Sequence, residues 1–212
     1  RNAERAKRGQ VKPVQYKWST NDGELYSEWR KKVVEYKPDV IISSIVEDTY
    51  AIWKKMIDKV SDCNFTSIVG GVFPTSAPEI FEGKCDYICR GEGDEAIPEM
   101  IAAIERGESC NNIANVYPNQ IRYALDVDTL PIGDLDIFPE KSLYRPFKGE
   151  IVKIGLLETQ RGCPFTCAFC NSPEKTIIYN KENAGKFYRH RSIEHIEKEV
   201  KYLVENHKVE FM

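Results

Sequence analysis

No stretch of the chain stays apolar for anything near the roughly 20 residues that a membrane-crossing helix needs, so an α-helical span is excluded. The opening segment, Arg1 to Val11, is polar and basic and lacks the apolar core of a secretory signal, which makes the cytoplasm the expected location. An excess of one charge is also missing. Thirty Lys and Arg stand against 33 Asp and Glu, a formal net charge of −3 with the signs interspersed. Such a surface has no field that would hold nucleic acid or an anionic membrane. Histidine is scarce, with three residues and none before His190, so the first 189 residues supply no imidazole. There is no internal repeat, and the composition is that of a folded chain of one ordinary domain or two small ones.

Cysteine, by contrast, is abundant and uneven. Of seven, Cys163, Cys167 and Cys170 fall within eight positions. That clustering and the odd count suit a metal site in a reducing compartment better than a disulfide framework. Cys63, Cys85, Cys89 and Cys110 are scattered and read as small packing residues. Cys85 and Cys89 could imitate a ligand pair, but they flank the apolar Tyr87-Ile88 of a strand and are assigned structural roles.

Apolar residues at Leu25, Trp29, Val33 and Tyr36 predict a helix that Pro38 ends. Val40-Ile41-Ile42 reads as a parallel strand buried on both faces, ending at Ser43-Ser44. A helix from Asp48 with Ile52, Trp53, Met56, Ile57 and Val60 inward leads to a strand at Ser67-Ile68-Val69 that closes on Gly70-Gly71. The alternation repeats with a short helical piece at Pro78 to Phe81, a strand at Asp86 to Cys89, the turn Gly91-Glu92-Gly93, and a helix facing inward at Ile97, Met100, Ile101 and Ile104. Short alternating units of this kind predict an α/β fold with a doubly wound, Rossmann-like parallel sheet, whose ligands lie at the carboxyl ends of the strands. The small residues collect at those ends, although any one glycine there is explained as well by a tight turn.

Ile113 to Tyr117 and Gln120 to Leu125 read as an antiparallel hairpin. The expected division is a first domain over residues 1–125, a Pro-, Gly- and Asp-rich linker over 126–150, and a second domain beginning over 151–212. Within the last, Ile151 to Leu157 is an apolar strand that runs into the cysteine loop. Ser192 caps a helix with Ile196, Val200, Leu203 and Val204 inward and with Glu194/Lys198 and Glu197/Lys201 four apart.

Cys163-Pro164-Phe165-Thr166-Cys167-Ala168-Phe169-Cys170 offers three soft thiolates on one loop, the ligands that iron–sulfur clusters and zinc select. Gly162 permits a sharp turn into the loop, and Arg161 brings positive charge beside an anionic metal group. Three ligands leave one coordination site open, and the spacing alone also admits zinc completed by His190.

The loop resembles the signature of the radical S-adenosylmethionine superfamily, three cysteines spaced by three and two residues with an aromatic before the last. The resemblance implies that Cys163, Cys167 and Cys170 hold a 4Fe-4S cluster. Phe169 would pack near the adenine of S-adenosylmethionine, and an electron donor such as flavodoxin or ferredoxin would reduce the cluster. It extends along the chain through Gly70-Gly71-Val72-Phe73-Pro74-Thr75 with Pro78-Glu79, Arg90-Gly91-Glu92-Gly93-Asp94-Glu95, Leu130-Pro131 and Tyr188-Arg189-His190-Arg191-Ser192. These are similar to the subfamily that joins a cobalamin-binding domain to a radical barrel. The implied fold is a partial cobalamin-type sheet followed by the start of a partial β/α barrel, with Ser43, Ser44, Gly70, Gly71, Gly91 and Gly93 lining the cobalamin's nucleotide tail. Phe73 stands where this subfamily commonly has histidine, and the motif Asp-x-His-x-x-Gly is absent, so no axial imidazole comes from this segment.

The resemblance also implies that the chain is a piece of a longer enzyme, with the first strand of the cobalamin fold before Arg1 and the rest of the barrel beyond Met212. The implied reaction generates a 5′-deoxyadenosyl radical and commonly transfers a methyl group to an unactivated carbon of a small-molecule substrate. Oxidative cyclisation or rearrangement is equally compatible with these residues. Two readings of other kinds are an iron–sulfur electron carrier and a ligand-binding module on a degenerate cobalamin-type sheet.

Overall fold

The computed structural model describes residues 22–212, and the polar opening segment Arg1 to Val11 lies outside them. Helix α1 (Asp22–Tyr36) buries Val33 and is tied to the next helix by Trp29, whose Nε1 donates to the Met56 carbonyl at 2.9 Å. It ends at Lys37, whose left-handed backbone (φ 50) brings its N–H within 2.8 Å of the Val33 carbonyl, and Pro38 bars continuation.

Strands β1 (Val40–Ser44), β2 (Thr66–Gly70) and β3 (Tyr87–Ile88) form a parallel sheet in that order, with Ser43 opposite Val69 and Ser44 opposite Gly70. Helix α2 (Tyr50–Asp58) crosses from β1 to β2 and the short α3 (Val72–Ser76) from β2 to β3, and α4 (Ala96–Glu105) follows β3. The expected α/β class with a parallel sheet is what the chain adopts.

The central strand β2 carries the two-sided burial. Ile68 packs on one face with Met100, Ala96 and Ala103 of α4, and Val69 packs on the other with Trp53 of α2 and Phe81. Each such fully buried side chain contributes about 2 to 3 kcal/mol. β1 departs from expectation. Ile41 is buried but Ile42 is 50% exposed, because β1 is the sheet edge among the described residues. In α2, Trp53 is buried while Ile52, placed inward by the sequence, is exposed.

The expected hairpin over 113–125 does not form a ladder. Val116 makes a single antiparallel bridge to Cys89, and the turn is fastened by Asn115 (φ 73), which is wholly buried. The Asn115 side chain donates from Nδ2 to the Glu92 carbonyl at 2.8 Å and accepts the Arg122 N–H on Oδ1 at 2.7 Å. A side chain here takes the place of ladder bonds.

The stretch read as an irregular linker contains regular pieces. Asp126 caps a 3-10 turn at Val127–Thr129, with Val127 buried. Strand β4 (Tyr144–Phe147) pairs antiparallel with β5 (Glu150–Lys153) across Lys148-Gly149, both at positive φ as a tight hairpin turn demands. Beyond β5, Ile154 bridges Phe211 in parallel. The remaining elements are β6 (Gln160–Arg161), α5 (Ser172–Lys181), β7 (Arg189–His190) and α6 (Ile193–His207). α6 begins as expected, with Ser192 Oγ accepting the His195 N–H at 3.1 Å, and Glu197 pairs with Lys201 at 2.7 Å.

The chain divides into two compact units. One joins the sheet region up to Ala124 with Gly162–Tyr188, and the other joins Leu125–Arg161 with Arg189–Met212. The cysteine loop and α5 therefore belong with the sheet. Among the described residues, no helix is long and apolar enough to cross a membrane.

Candidate functional site

The chain turns into the cysteine loop at Gly162 (φ 78), where an added Cβ would lie 2.6 Å from the Phe187 carbonyl oxygen, so only glycine fits. The Cys170 N–H bonds the Cys167 carbonyl at 3.1 Å, and α5 starts two residues later with Pro173 in its first turn. The Ser172 N–H stands 3.4 Å from Cys170 Sγ, a backbone donor of the kind that surrounds metal-bound thiolates.

Cys163 is half-buried, Cys167 and Cys170 are exposed, and Phe169 is 94% exposed. Among the described residues, no group of three or more His, Cys, Asp or Glu side chains converges closely enough to hold a metal ion. The three thiols share one accessible loop without meeting at a point. Their number, softness and accessibility fit an iron–sulfur cluster with three protein ligands. His190, which a zinc site would enlist, lies in β7 opposite Gln160.

The strand ends form a ledge. Gly71 (φ 101) abuts β1 so closely that a Cβ would come within 2.8 Å of Ser44 Oγ, which gathers Ser43, Ser44, Gly70 and Gly71 at one corner. Thr75 links this corner to the next strand, its Oγ1 donating to the Gly71 carbonyl at 2.7 Å and accepting the Gly91 N–H at 2.9 Å. A Cβ on Gly91 (φ 71) would lie 2.8 Å from Ile121 Cγ2, and one on Gly93 would lie 2.9 Å from Ile97 Cγ1. At these positions the chain's own atoms already require glycine.

Phe73 packs edge-on against Tyr50 and Phe81, at 5.8 and 5.3 Å between ring centroids, so the residue in the place of histidine belongs to the aromatic core. The scattered cysteines are core residues too. Cys89 and Cys110 are buried, and burial pushes the Cys85 thiol up to about 12 and the Cys89 thiol up to about 11. Neutral buried thiols make poor ligands.

No family model matches the chain. It is 28% identical over 194 residues to an uncharacterized methyltransferase of Pyrococcus horikoshii, covering 84% of this chain and 39% of that protein. It is 29% identical over 203 residues to an anaerobic magnesium-protoporphyrin IX monomethyl ester cyclase of Rubrivivax gelatinosus, covering 86% and 34%. Its fold matches the radical S-adenosylmethionine methyltransferase TsrM from Kitasatospora setae, solved with cobalamin and a [4Fe-4S] cluster bound. The TM-score is 0.53 at 16% identity, over 86% of this chain and 39% of that one. The chain is thus similar in sequence to a methyltransferase and to a magnesium-protoporphyrin cyclase, and it shares the fold of solved cobalamin-dependent radical S-adenosylmethionine enzymes. It spans between a third and two fifths of the length of these relatives.

Several buried polar and charged residues of the two units gave no signal in the sequence. Tyr179 of α5 is buried beside Ile121 and Ala184, and Glu182 just beyond it bonds Arg90 and the Ile121 N–H. Lys175 is buried against Ser76, and desolvation lowers its pKa from the ordinary value. In the other unit Arg191 is buried at the foot of α6, reaching Glu158 Oε2 at 3.3 Å, Glu199 Oε2 at 3.5 Å and the His195 ring. The Asp128 carboxylate accepts the Ser192 N–H at 2.8 Å. Charged side chains at polar positions of amphipathic helices read as solvated, and only the fold shows which are covered.

Proposed function

We propose that the chain is part of a cobalamin-dependent radical enzyme that binds a 4Fe-4S cluster through Cys163, Cys167 and Cys170 and transfers a methyl group to an unactivated carbon of a small molecule. When bound, these groups would supply one electron to the sulfonium of S-adenosylmethionine, breaking a C–S bond to give methionine and a 5′-deoxyadenosyl radical, together with a methyl group carried on cobalt. The residues of the chain bind and orient. The three thiolates hold the cluster and leave one iron for the amino acid end of the cosubstrate. Phe169 offers an uncovered ring to the adenine, and Ser43, Ser44, Gly70, Gly71, Gly91 and Gly93 offer backbone and hydroxyl groups to the cobalamin tail.

In this reading residues 1–125 form the cobalamin-type domain, 126–150 the connection and 151–212 the start of the barrel. A flavodoxin- or ferredoxin-type donor would deliver the electron. The observation that carries the reading is the accessible loop with spacers of three and two, which provides three soft ligands and not four.

Anaerobic reconstitution of the full-length protein with iron and sulfide, followed by reduction, tests it. Release of 5′-deoxyadenosine from S-adenosylmethionine is expected, and a protein that retains iron but releases none would overturn the radical step. The similarity to the cyclase of Rubrivivax gelatinosus favours oxidative ring closure as a second outcome. Transfer of label from methyl-labelled S-adenosylmethionine into product separates the two.

A further inference from the structure

The helix that follows the cysteines is fastened to the strand-end ledge by a covered ion pair. Arg90 leaves the end of β3, its backbone N–H held by the Asn115 carbonyl at 2.8 Å. Its Nη2 donates to Glu182 Oε1 at 2.5 Å, and the two side chains are only 12% and 17% exposed. The second oxygen of Glu182 accepts the Ile121 N–H at 2.8 Å. One carboxylate therefore joins the residue after α5 to both the Arg90-Gly91-Glu92-Gly93 turn and the segment beyond it.

The apolar contacts run the same way. Tyr179 places its hydroxyl 3.1 Å from where a Gly91 Cβ would sit, and its ring lies 5.2 Å from that of Phe187. Phe187 in turn fills the space at Gly162, where the cysteine loop begins. At the other end of α5, Ser76 Oγ donates to Glu174 Oε2 at 2.7 Å. One end of the loop thus rests on Phe187 through Gly162, and the other runs into α5, which is bonded to α3 and to the strand-end turn.

We propose that Glu182 is a positioning residue, which through Arg90 and the Ile121 N–H locks the cysteine loop to the strand-end turn so that the two candidate cofactor sites are held as one body. The docking stands on the geometry alone, and its consequence for the cluster rests on the function proposed above.

The test uses full-length protein purified without oxygen. Glu182→Ala is expected to speed amide exchange over residues 172–184 on the order of 10- to 100-fold while β2 exchanges as in wild type, because removing one partner strands the other charge in a covered site. Iron retained after desalting should fall about threefold or more, as expected when ligand-supporting contacts are lost. Glu182→Gln, which keeps an acceptor for Ile121, should fall between. Arg90→Ala should act alike, and the double variant should add little to either single one. Unchanged exchange in Glu182→Ala, simple additivity of the two variants, or a loss spread evenly over the sheet would overturn the proposal. Faster exchange with normal iron would overturn the positioning role. Wild-type protein that binds no iron, with exchange responding as expected, would reject the cluster reading and leave the docking standing.

Discussion

At the strand-end ledge Gly71, Gly91 and Gly93 are each crowded by atoms of the chain itself. Gly91 has no room for a methyl group, and Thr75 and Asn115 are buried with their hydrogen bonds made. In the same unit, the cysteine loop shows the opposite. Phe169 and Phe165 are 94% and 69% exposed, and Cys167 and Cys170 lie at the surface. A side chain packed by its own protein is explained by folding, whereas large aromatics and thiols that nothing covers are explained by what comes to them. The comparison implies that changes on the loop will remove cluster binding and spare the fold, and that changes at the crowded glycines of the ledge will cost the fold itself.

The largest expected effect is on the loop. Cys167→Ala should abolish iron retention after anaerobic reconstitution, yet shift the unfolding stability of the metal-free protein by no more than about 0.5 kcal/mol, as for other exposed substitutions. Iron analysis after reconstitution and a urea titration before it measure the two. A variant with wild-type iron content would remove Cys167 from the ligand set. Alkylation contrasts the same two regions in metal-free protein. With its thiol pushed up to about 12 from 9.0, Cys85 should react with iodoacetamide near pH 8 on the order of 1000-fold more slowly than a thiol of ordinary acidity, since the thiolate is the nucleophile. Cys167 and Cys170 should be labelled first, and mass mapping of the modified peptides gives the order.

On the ledge the expected effect is several kcal/mol at most. Gly91 and Gly107 share the same φ of 71, but an added Cβ meets Ile121 and Tyr179 at Gly91 and nothing within 4 Å at Gly107. Gly107→Ala should therefore cost only backbone strain, about 1 kcal/mol, and Gly91→Ala about 2 to 4 kcal/mol. Equal urea midpoints for the two variants would mean that the ledge is less tightly filled than the structure shows.

The cysteine spacing and the strand–helix alternation were legible because they are local. A three-and-two thiol pattern needs no fold to interpret it, and Ser67-Ile68-Val69 before two glycines announces a buried strand end. Ile42 was misread because strand burial depends on the neighbouring strand, which a run of β-branched residues does not reveal. Asn115 was invisible for a different reason. Its buried side chain replaces the ladder that alternating residues on either side would otherwise suggest. The glycines of the ledge were legible as strand ends and turns, but the close approaches of Gly71 to Ser44, Gly91 to Ile121 and Gly93 to Ile97 depend on the fold and only the structure shows them.

The smallest expected effect comes from a pair that matches Arg90 and Glu182 in chemistry and differs in cover. Arg30 and Asp62 also approach to 2.5 Å, but their side chains are 41% and 64% exposed. The hydrogen bond from Arg30 holds the Asp62 carboxyl at about 2, below its usual 3.8. A carboxyl whose pKa is depressed by folding stabilises the fold fully above its unfolded value, and that contribution disappears as the pH falls from near 4 through about 2. Asp62→Asn should therefore lower stability slightly above about pH 4, flatten the acid limb of the unfolding curve between those limits, and change little below about pH 2. Because the pair is open to solvent, about 1 M salt should erase most of the difference between variant and wild type. The same salt should leave the Glu182→Ala phenotype in place, since covered charges are poorly screened. If both pairs responded to salt alike, the strand-end junction would be as wet as the outer face of α1, and burial would lose its place as the feature that separates them.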